Sequence, residues 1–241
     1  MFENLGNGIC LITSGATSVP IDPVRSIENF STGVRGARLA ENFLNQNWNV
    51  IFLYRQHSAQ PFRHRVNIDL SIEKFQSIQN DWRINKNRLV EIPYLTLDDY
   101  FEKLESLSKE LEGTKSSTKM ILLAAAVSDF VCKSTSSKID SSEDFSVIEL
   151  DKVPKLVKTL TSQWAPSVDT FSFKLETDEN KIEGKARKYF DQGVKGIIGN
   201  ELKSRRNKIK LILEDKTEDI VIDHNSLTEI EELLVIRLLQ I

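Results

Sequence analysis

The alternation of apolar and polar positions predicts strands and helices in turn along this chain. An apolar run predicts a buried strand at 9–14, apolar residues at helical spacing predict a helix over 33–46, and a second apolar run predicts a strand over 49–54. A strand, a helix and a strand in this order form the parallel crossover unit of α/β proteins. The same patterns predict further elements, with helices at 97–112, 154–164, 179–190 and 226–239 and strands at 120–127, 170–175 and 196–199.

Two long segments lack this periodicity. Residues 55–95 predict a loop-rich insertion, helical only near 71–79, and a loop of that length is typical of a lid or an interface. Residues 131–147 are rich in Ser, Thr, Lys and Asp, which predicts a flexible loop. Residues 113–119 predict a short polar linker between elements, and the chain has no internal repeat, so it reads as one domain spanning 1–241.

The end of the chain carries two further local signals. Alternating residues at 209–213 and 219–222, on either side of a polar turn, predict an antiparallel hairpin. Ser226 and Glu229 have the spacing of a capping box, which predicts that the last helix begins there.

Composition excludes several classes of protein. A net charge of −3 provides no broad basic surface for nucleic acid. No apolar run approaches the ~20 residues of a membrane span, and the first residues do not have the pattern of a secretory signal. Cys10 and Cys132 are far apart without metal-ligand spacing, which favours free thiols in a reducing compartment. We therefore expect a cytoplasmic protein that binds neither nucleic acid nor membrane.

Two small-residue turns near the start suggest a phosphate site. Gly15 follows the first strand, and a second turn, headed by Asn29 and containing Ser31 and Gly33, opens the first helix with Gly36 one turn inside. Small residues let a backbone approach an anion, and the N–H groups of a helix start point at it. The alternative is that these glycines serve packing only. The presence of two such turns beside an asparagine favours the phosphate site.

The apolar strand predicted at 120–127 ends in a second candidate site. Ala125 and Ala126 leave space for a substrate, and Asp129 could accept hydrogen bonds or help to hold a cation. Ligands of open α/β sheets bind at the carboxyl ends of strands. A strand end capped by an aspartate explains the same residues equally well.

Three later residues are weaker candidates on their own. A lysine in a polar loop, such as Lys138, is usually only solvated, although it could neutralise phosphate charge. Phe173 could stack on a base or belong to the core, and Asn200 could contact a base edge or hold a tight turn. The histidines form no metal or catalytic constellation, and the sequence identifies no metal ligands.

Taken in order, these segments resemble the phosphopantothenoylcysteine synthetase family, the phosphopantothenate–cysteine ligases of coenzyme A synthesis. The resemblance spans nearly the whole chain and rests on Thr13-Ser14-Gly15-Ala16-Thr17 and on residues 24–33, 123–130, 138–139, 153–155 and 173–178. It implies a Rossmann-like α/β fold, with a three-layer arrangement of a parallel sheet flanked by helices, and a homodimer. It also implies an acyl-nucleotide intermediate, release of pyrophosphate, a nucleoside triphosphate as co-substrate, and Mg²⁺.

The resemblance assigns roles position by position. It implies catalytic roles for Asn29, which would hold the activated acyl group, and for Lys138. The positions implied to bind the nucleotide are Gly15, Ser31, Gly33, Gly36, Phe173 and Asn200. The positions implied to bind phosphopantothenate or the acyl intermediate are Asn29, Ala125, Ala126 and Asp129.

The branch of the family and two rival functions complete the expectations. Segments 52–55 and 58–62 look like the stand-alone eukaryotic branch, which favours ATP over CTP. The family usually has a second glycine where this chain has Ala16, and a positive φ there would strain alanine. A nicotinamide-dependent reductase would need the full glycine fingerprint and an acidic residue after the second strand, where Tyr54 and Arg55 stand. A non-catalytic member of the same fold would be favoured by loss of Asn29 or Lys138, and both are present.

Overall fold

The structure is a computed structural model that describes residues 2, 6–116, 118–133, 137–140, 148–223 and 226–241. Its strands are β1 Ile9–Ser14, β2 Ser18–Asp22, β3 Arg25–Glu28, β4 Asn49–Arg55, β5 Leu89–Tyr94, β6 Lys119–Leu123, β7 Phe130–Cys132, β8 Leu150–Lys152, β9 Asp169–Glu176, β10 Gly196–Glu201, β11 Lys208–Ile212 and β12 Thr217–Val221. Its helices are α1 Val34–Asn45, α2 Ile72–Asn85, α3 Leu97–Glu112, α4 Val157–Thr159, α5 Asn180–Ala186 and α6 Ile230–Leu238.

An eight-stranded sheet organises the described residues, in the order β12-β11-β10-β9-β6-β1-β4-β5. The six strands from β10 to β5 are parallel, and β11 and β12 add the antiparallel hairpin expected near the C-terminus. The chain builds the sheet outward from β1 to β4 and β5, then returns to β6 on the other side of β1. This is the Rossmann-type order, and its switch point between β1 and β6 is where open α/β sheets bind ligands.

The core has the three layers that the resemblance implies, with helices packed on both faces of the sheet. Alternate residues of β1 face opposite sides of the sheet, so Cys10 and Ile12 pack in one cluster and Ile9 and Leu11 in another. The first cluster contains the apolar faces of α1 and α6, and the second contains that of α3. Both faces of the central strand are buried, as in other parallel sheets covered by helices.

Local signals explain where the helices begin and end. The Thr96 hydroxyl accepts a hydrogen bond from the N–H of Asp99 at 3.2 Å and caps α3, whose observed bounds match the prediction. At the C-terminal end of α1, the carbonyl of Leu44 accepts from the N–H of Asn47 at 3.0 Å and from Arg88 Nη1 at 2.8 Å. The predicted helix over 33–46 is therefore confirmed as α1.

The prediction of a loop-rich insertion at 55–95 was wrong for its second half. Residues 72–85 form α2 and residues 89–94 form β5, which pairs in parallel with β4 at the edge of the sheet. The helix buries few side chains, Ile78 and Asn85 among them, so its sequence carries little helical periodicity. Glu91 and Pro93 interrupt the apolar pattern of β5, and both residues are tolerated on an edge strand.

Other boundaries also needed correction. The strand expected over 120–127 ends at Leu123, and the helix expected over 226–239 begins at Ile230. The Ser226 hydroxyl accepts from the N–H of Thr228, so the predicted capping box with Glu229 is wrong. The helices predicted at 154–164 and 179–190 both start as α-helix and continue as a π-helical turn over 160–164 and a 3₁₀ turn over 187–192, respectively.

Two small hairpins extend from the carboxyl ends of the sheet strands, where the candidate site lies. The sequence patterns did not predict either of them. One is β2–β3, and the other is β7–β8. The Sγ of Cys132 donates to the carbonyl of Pro20 at 2.9 Å, which links the two hairpins. The segment predicted as a flexible loop at 131–147 begins inside β7, and its residues 134–136 and 141–147 lie outside the described residues.

Candidate active site

The two glycine turns predicted for a phosphate meet at the carboxyl end of β1. Gly15 has φ +86° and Gly33 has φ +79°, a left-handed backbone that L side chains rarely adopt. A Cβ on Gly15 would lie 2.5 Å from the Cβ of Arg55, so the turn also needs glycine for space. Ala16 does not have a positive φ and forms a parallel bridge with Ala126, so this alanine is not strained.

The first turn of α1 packs directly on the end of β1. The Ser14 hydroxyl donates to the carbonyl of Gly33 at 3.0 Å, and a Cβ on Gly36 would lie 2.5 Å from the Cβ of Ser14. The Tyr94 hydroxyl donates to the carbonyl of Ser14 at 2.8 Å, and burial raises the pKa of Tyr94, so it stays a neutral donor. These glycines therefore serve close packing, and that packing places the free N–H groups of a helix start beside the switch point.

Asn29 joins this turn to the end of β6. Its Nδ2 donates to the carbonyls of Ala126 at 3.3 Å and Val127 at 3.2 Å, and the N–H of Ala126 donates to the carbonyl of Gly15 at 2.7 Å. The structure thus brings together two motifs that are about 100 residues apart in the sequence. Ser31, which lies between Asn29 and Gly33 in the chain, is partly exposed.

Two threonines of the first motif fix the backbone that follows β6. Thr13 Oγ1 accepts from the N–H of Ala125 at 3.1 Å, and Thr17 Oγ1 accepts from the N–H of Ser128 at 2.9 Å. Asp129 follows with an exposed side chain, and its backbone carbonyl accepts from the N–H of Val153 at 2.9 Å. The segment 124–128 is therefore held as an ordered wall of the site.

Asp22 anchors the residue next to Lys138, and the sequence analysis missed it. Asp22 Oδ2 accepts from the N–H of Ile139 at 3.2 Å and pairs with Arg25 Nη1 at 2.9 Å, while Oδ1 accepts from the N–H of Val24 at 2.8 Å. Burial would raise the pKa of this carboxyl, but the two backbone N–H groups and Arg25 outweigh it, and the pKa is lowered. Lys138 itself is exposed beside this anchor. Only the pairing of distant residues reveals the role of Asp22.

Phe173 and Asn200 lie on the neighbouring strands β9 and β10. Phe173 is partly buried, and Asn200 is nearly fully buried, opposite Leu175 in the strand register. The guanidinium of Arg35, in the first turn of α1, lies over the Phe173 ring at 6.0 Å from its centroid. This side chain connects the nucleoside candidates to the glycine turns.

The segment after β4 covers the two glycine turns. The N–H of Ala59 donates to the carbonyl of Thr32 at 2.9 Å, and the Ser58 hydroxyl oxygen, buried and with no hydrogen-bond partner in the described chain, packs between Gly15 and Gly33. Sequence patterns gave no signal for Ser58 beyond its place in segment 58–62.

One carboxylate ties the same segment to α1. Glu41 Oε1 accepts from the N–H of Phe62 at 2.7 Å and lies 2.8 Å from His64 Nε2, and Oε2 pairs with Arg65. Phe62 is fully buried with φ +64°, an unfavourable conformation for a side chain of its size. Glu41 therefore holds the covering segment in a conformation that the chain would not adopt alone.

Two kinds of feature are absent from the described residues. Across them, no group of three His, Cys, Asp or Glu side chains is placed to bind a metal ion. In the same part of the chain, no helix combines the length and apolarity that crossing a bilayer requires.

Comparison with known proteins identifies the family. The model of the DNA/pantothenate metabolism flavoprotein C-terminal domain matches residues 6–85 and 101–238. Phosphopantothenate–cysteine ligase 1 of Arabidopsis thaliana is 34% identical, covering 94% of this chain and 84% of the relative. Phosphopantothenate–cysteine ligase of Homo sapiens is 32% identical, covering 95% and 85%. The chain belongs to the phosphopantothenate–cysteine ligase family.

Solved structures agree with this family. A Cab2 mutant in complex with phosphopantothenate-cysteine superposes with a TM-score of 0.86 at 29% identity, covering 97% of this chain and 86% of that chain. The DNA/pantothenate metabolism flavoprotein from Streptococcus pneumoniae shares the fold, with a TM-score of 0.71 at 20% identity, covering 96% of each chain. Every site residue predicted from the sequence falls inside the ranges that match the family model, and the edge strand β5 falls in its gap.

Proposed function

We propose that this chain joins 4′-phosphopantothenate to L-cysteine to give 4′-phosphopantothenoyl-L-cysteine, a step of coenzyme A synthesis. In the first half of the reaction the carboxylate of phosphopantothenate attacks the α-phosphate of a nucleoside triphosphate and pyrophosphate leaves. In the second half the amine of cysteine attacks the acyl-nucleotide, giving the amide and a nucleoside monophosphate with loss of a proton from the amine. The family assignment and the ligand of the Cab2 complex support this reaction.

The observation that carries the proposal is the position of Asn29. Its side-chain amide lies at the switch point of the sheet, where Nδ2 is 3.3 Å from the carbonyl oxygen of Ala126 and 3.2 Å from that of Val127. An amide donor there is well placed to turn to an acyl oxygen that gains negative charge, because fixed donors stabilise charge that develops in a transition state. Ala125, Ala126 and Asp129 form the wall beside it and are proposed to bind the phosphopantothenate part.

The nucleotide is proposed to lie along α1 and across the next two strands. The N–H groups at the start of α1, with Gly15, Ser31, Gly33 and Gly36, would hold the phosphates. Phe173 and Asn200 would line the nucleoside on β9 and β10. Lys138, beside the Asp22 anchor, would neutralise phosphate charge during attack on the α-phosphate.

A magnesium ion is proposed to accompany the triphosphate. The described residues offer no three-ligand cage for it, which fits the preference of Mg²⁺ for substrate phosphates, waters and one or two carboxylates. Asp129, which immediately precedes β7, is the carboxylate beside the segment 124–128 that could supply such a ligand. When bound, the ion would offset the charge that builds up on the phosphates.

We further propose ATP over CTP as the co-substrate, since the segments at 52–55 and 58–62 resemble the stand-alone eukaryotic branch. The rival reductase function is not favoured. Arg55, which ends β4, pairs with Glu28 at 2.5 Å, and the acidic residue that would hold a nicotinamide ribose is absent from that position.

A homodimer is proposed from the two hairpins. Val24, Phe130 and Leu150 are 65%, 46% and 50% exposed on β2–β3 and β7–β8, and Phe30 follows β3 fully exposed. Apolar side chains gathered on neighbouring hairpins are typical of a surface covered by a partner. Light scattering during size-exclusion chromatography tests this, and a monomeric mass at micromolar concentration would overturn it.

A pyrophosphate-release assay tests the reaction. The chain is incubated with Mg²⁺ and 4′-phosphopantothenate, with ATP or CTP, and with or without cysteine. Release that requires phosphopantothenate, with amide formed only when cysteine is added, is the expected result, and the faster triphosphate identifies the co-substrate. A folded chain that releases no pyrophosphate with either nucleotide would refute the proposal.

A further inference from the structure

Arg35 contacts three separate elements around the proposed nucleotide site. It is the second residue of α1, one position from the helix start where the phosphates are expected. Its guanidinium lies over the ring of Phe173, its Nη2 donates to the carbonyl of Arg205, and its Nε lies 3.6 Å from Glu231 Oε1 on α6. One side chain therefore reaches β9, the turn that follows β10, and the last helix.

These contacts leave part of a mostly buried ion pair without partners, since the side chain of Arg35 is 20% exposed and that of Glu231 is 4% exposed. Nη1 of Arg35 is buried with no hydrogen-bond acceptor among the described residues, and Glu231 Oε2 is buried there without a hydrogen-bond donor. Removing a guanidinium from water is unfavourable unless its donors are satisfied, and an apolar side chain often stabilises such a position better. Stability alone thus does not account for an arginine here, which is typical of a residue kept for function.

The geometry of a guanidinium suits the task of joining these elements. Its planar fork can donate in one direction and stack on an aromatic face in another, whereas a lysine ammonium is a point charge on a flexible stem. Phe173 and the turn carrying Arg205 are thereby held at a fixed distance from the first turn of α1. In the proposed function, a single nucleotide reaches from Phe173 to the first turn of α1, so the relative position of these two elements matters for its binding.

We propose that Arg35 is a positioning residue for the nucleotide, which fixes the nucleoside wall relative to the phosphate turns. The proposal rests on the proposed function in one respect, namely that Phe173 and Asn200 line the nucleoside. Loss of Arg35 lets Phe173 and Asn200 shift relative to the start of α1, so the nucleoside and phosphate positions no longer fit one nucleotide. Phosphopantothenate, which is proposed to bind along the segment that follows β6, is bound as before.

Arg38 provides a matched control on the same helix. It pairs with Glu229 at 3.0 Å and with Glu231 at 3.7 Å, and it contacts neither Phe173 nor Arg205. Replacing either arginine removes a positive charge from the same ion cluster. A purely structural role would therefore make Arg35→Met and Arg38→Met alike.

The experiment measures dissociation constants of the full-length chain for ATP, CTP and phosphopantothenate, each alone, by calorimetry, together with thermal unfolding. We expect Arg35→Met and Arg35→Lys to weaken nucleotide binding about tenfold, equivalent to about 1.4 kcal/mol, with phosphopantothenate affinity unchanged. Arg38→Met should keep nucleotide affinity within about twofold, an effect of only a few tenths of a kcal/mol. In a Phe173→Leu background the effect of Arg35→Lys should shrink, because the residue acts through that ring.

Three outcomes would overturn the proposal: equal nucleotide affinity in the Arg35 and Arg38 variants, full rescue by lysine, or an undiminished effect without the Phe173 ring. The lysine variant keeps the charge and most of the side-chain volume, so the test survives if Arg35→Met does not fold. Binding is read without turnover, so failure of the ligase assay and failure of this inference are separate results.

Discussion

Gly36 and Ser14 approach so closely that position 36, in the first turn of α1, has no room for a side chain. A Cβ on Gly36 would lie 2.5 Å from the Cβ of Ser14 and closer still to its hydroxyl oxygen, whereas the Cα of Ser14 would be 3.3 Å away. The conflict therefore belongs to the Ser14 side chain and not to the strand backbone. This close contact is what sets the helix start against the end of β1.

Gly36→Ala should destabilise the chain by about 1–2 kcal/mol, because overpacking outweighs the higher helix propensity of alanine. In a Ser14→Gly background the destabilisation should be much smaller, since the two nearest atoms, both of the Ser14 side chain, are removed and the Ser14 Cα lies at 3.3 Å. Urea unfolding of the four variants gives the coupling directly. Gly184→Ala on α5, where a Cβ meets nothing within 4 Å, is the control and should stabilise by about 0.5–1 kcal/mol. Equal effects in both Ser14 backgrounds would contradict the packing described.

Asn29→Asp should separate the two halves of the reaction. The new carboxylate faces the carbonyls of Ala126 and Val127 and loses the donor that an acyl oxygen would need. In single-turnover assays we expect pyrophosphate release to exceed amide formation by about tenfold or more, a loss of about 1.4 kcal/mol in the second half alone. The control is Asn42→Asp on α1, because the Asn42 side chain donates to the carbonyl of Arg38 and not to these two carbonyls. Equal loss of both halves would refute the role given to Asn29.

Lys138→Ala should slow the first half most. An exposed lysine beside the Asp22 anchor contributes charge to the phosphates, so pyrophosphate release should fall about tenfold or more, within the range of lost electrostatic stabilisation. Lys133→Ala removes a similar exposed charge earlier in the same connection and should leave the rate unchanged. Unchanged pyrophosphate release in Lys138→Ala would exclude the proposed role.

Asp22 should make the free energy of unfolding fall with pH in the acid range and leave it independent of pH near neutrality. Its folded pKa lies below the unfolded value of about 3.9, so its contribution is present above that value and is lost as the pH falls through the folded pKa. Asp22→Asn should lower the free energy of unfolding at neutral pH and remove part of the decline in acid. Urea unfolding from about pH 2 to 7 measures this, with Asp151→Asn on the exposed strand β8 as the control. Parallel curves for the wild type and Asp22→Asn would contradict the anchor.

The sequence predicted elements whose stabilisation is local or strongly periodic. The apolar stripe of α3 lies against the sheet, and its Thr96 cap is local, so its bounds could be predicted correctly. By contrast, β5 exists because β4 offers it an edge, and Glu91 and Pro93 conceal it in the sequence. The hairpin β2–β3 has one fully exposed strand, so no apolar pattern marks it.

The candidate site shows the same division. Gly15, Gly33 and Asn29 stand in local motifs and could be predicted to lie together at the sheet edge. Asp22 and Arg35 could not, because their partners at Ile139 and Phe173 are more than 100 residues away and no spacing rule connects them. Local chemistry identifies which turns are candidates for binding phosphate, and only the fold reveals which side chains hold those turns in place.

The positions proposed for the nucleotide come from opposite parts of the chain. β1 and the start of α1 are made early, whereas Phe173 and Arg205 follow only after β6. During synthesis the phosphate turns therefore leave the ribosome well before the strands that complete the pocket, because the chain emerges from its N-terminus. A ligand stabilises only the state that carries its whole site. A nucleotide bound at the proposed positions would therefore protect the finished domain against unfolding and degradation, but it would not assist the nascent N-terminal half.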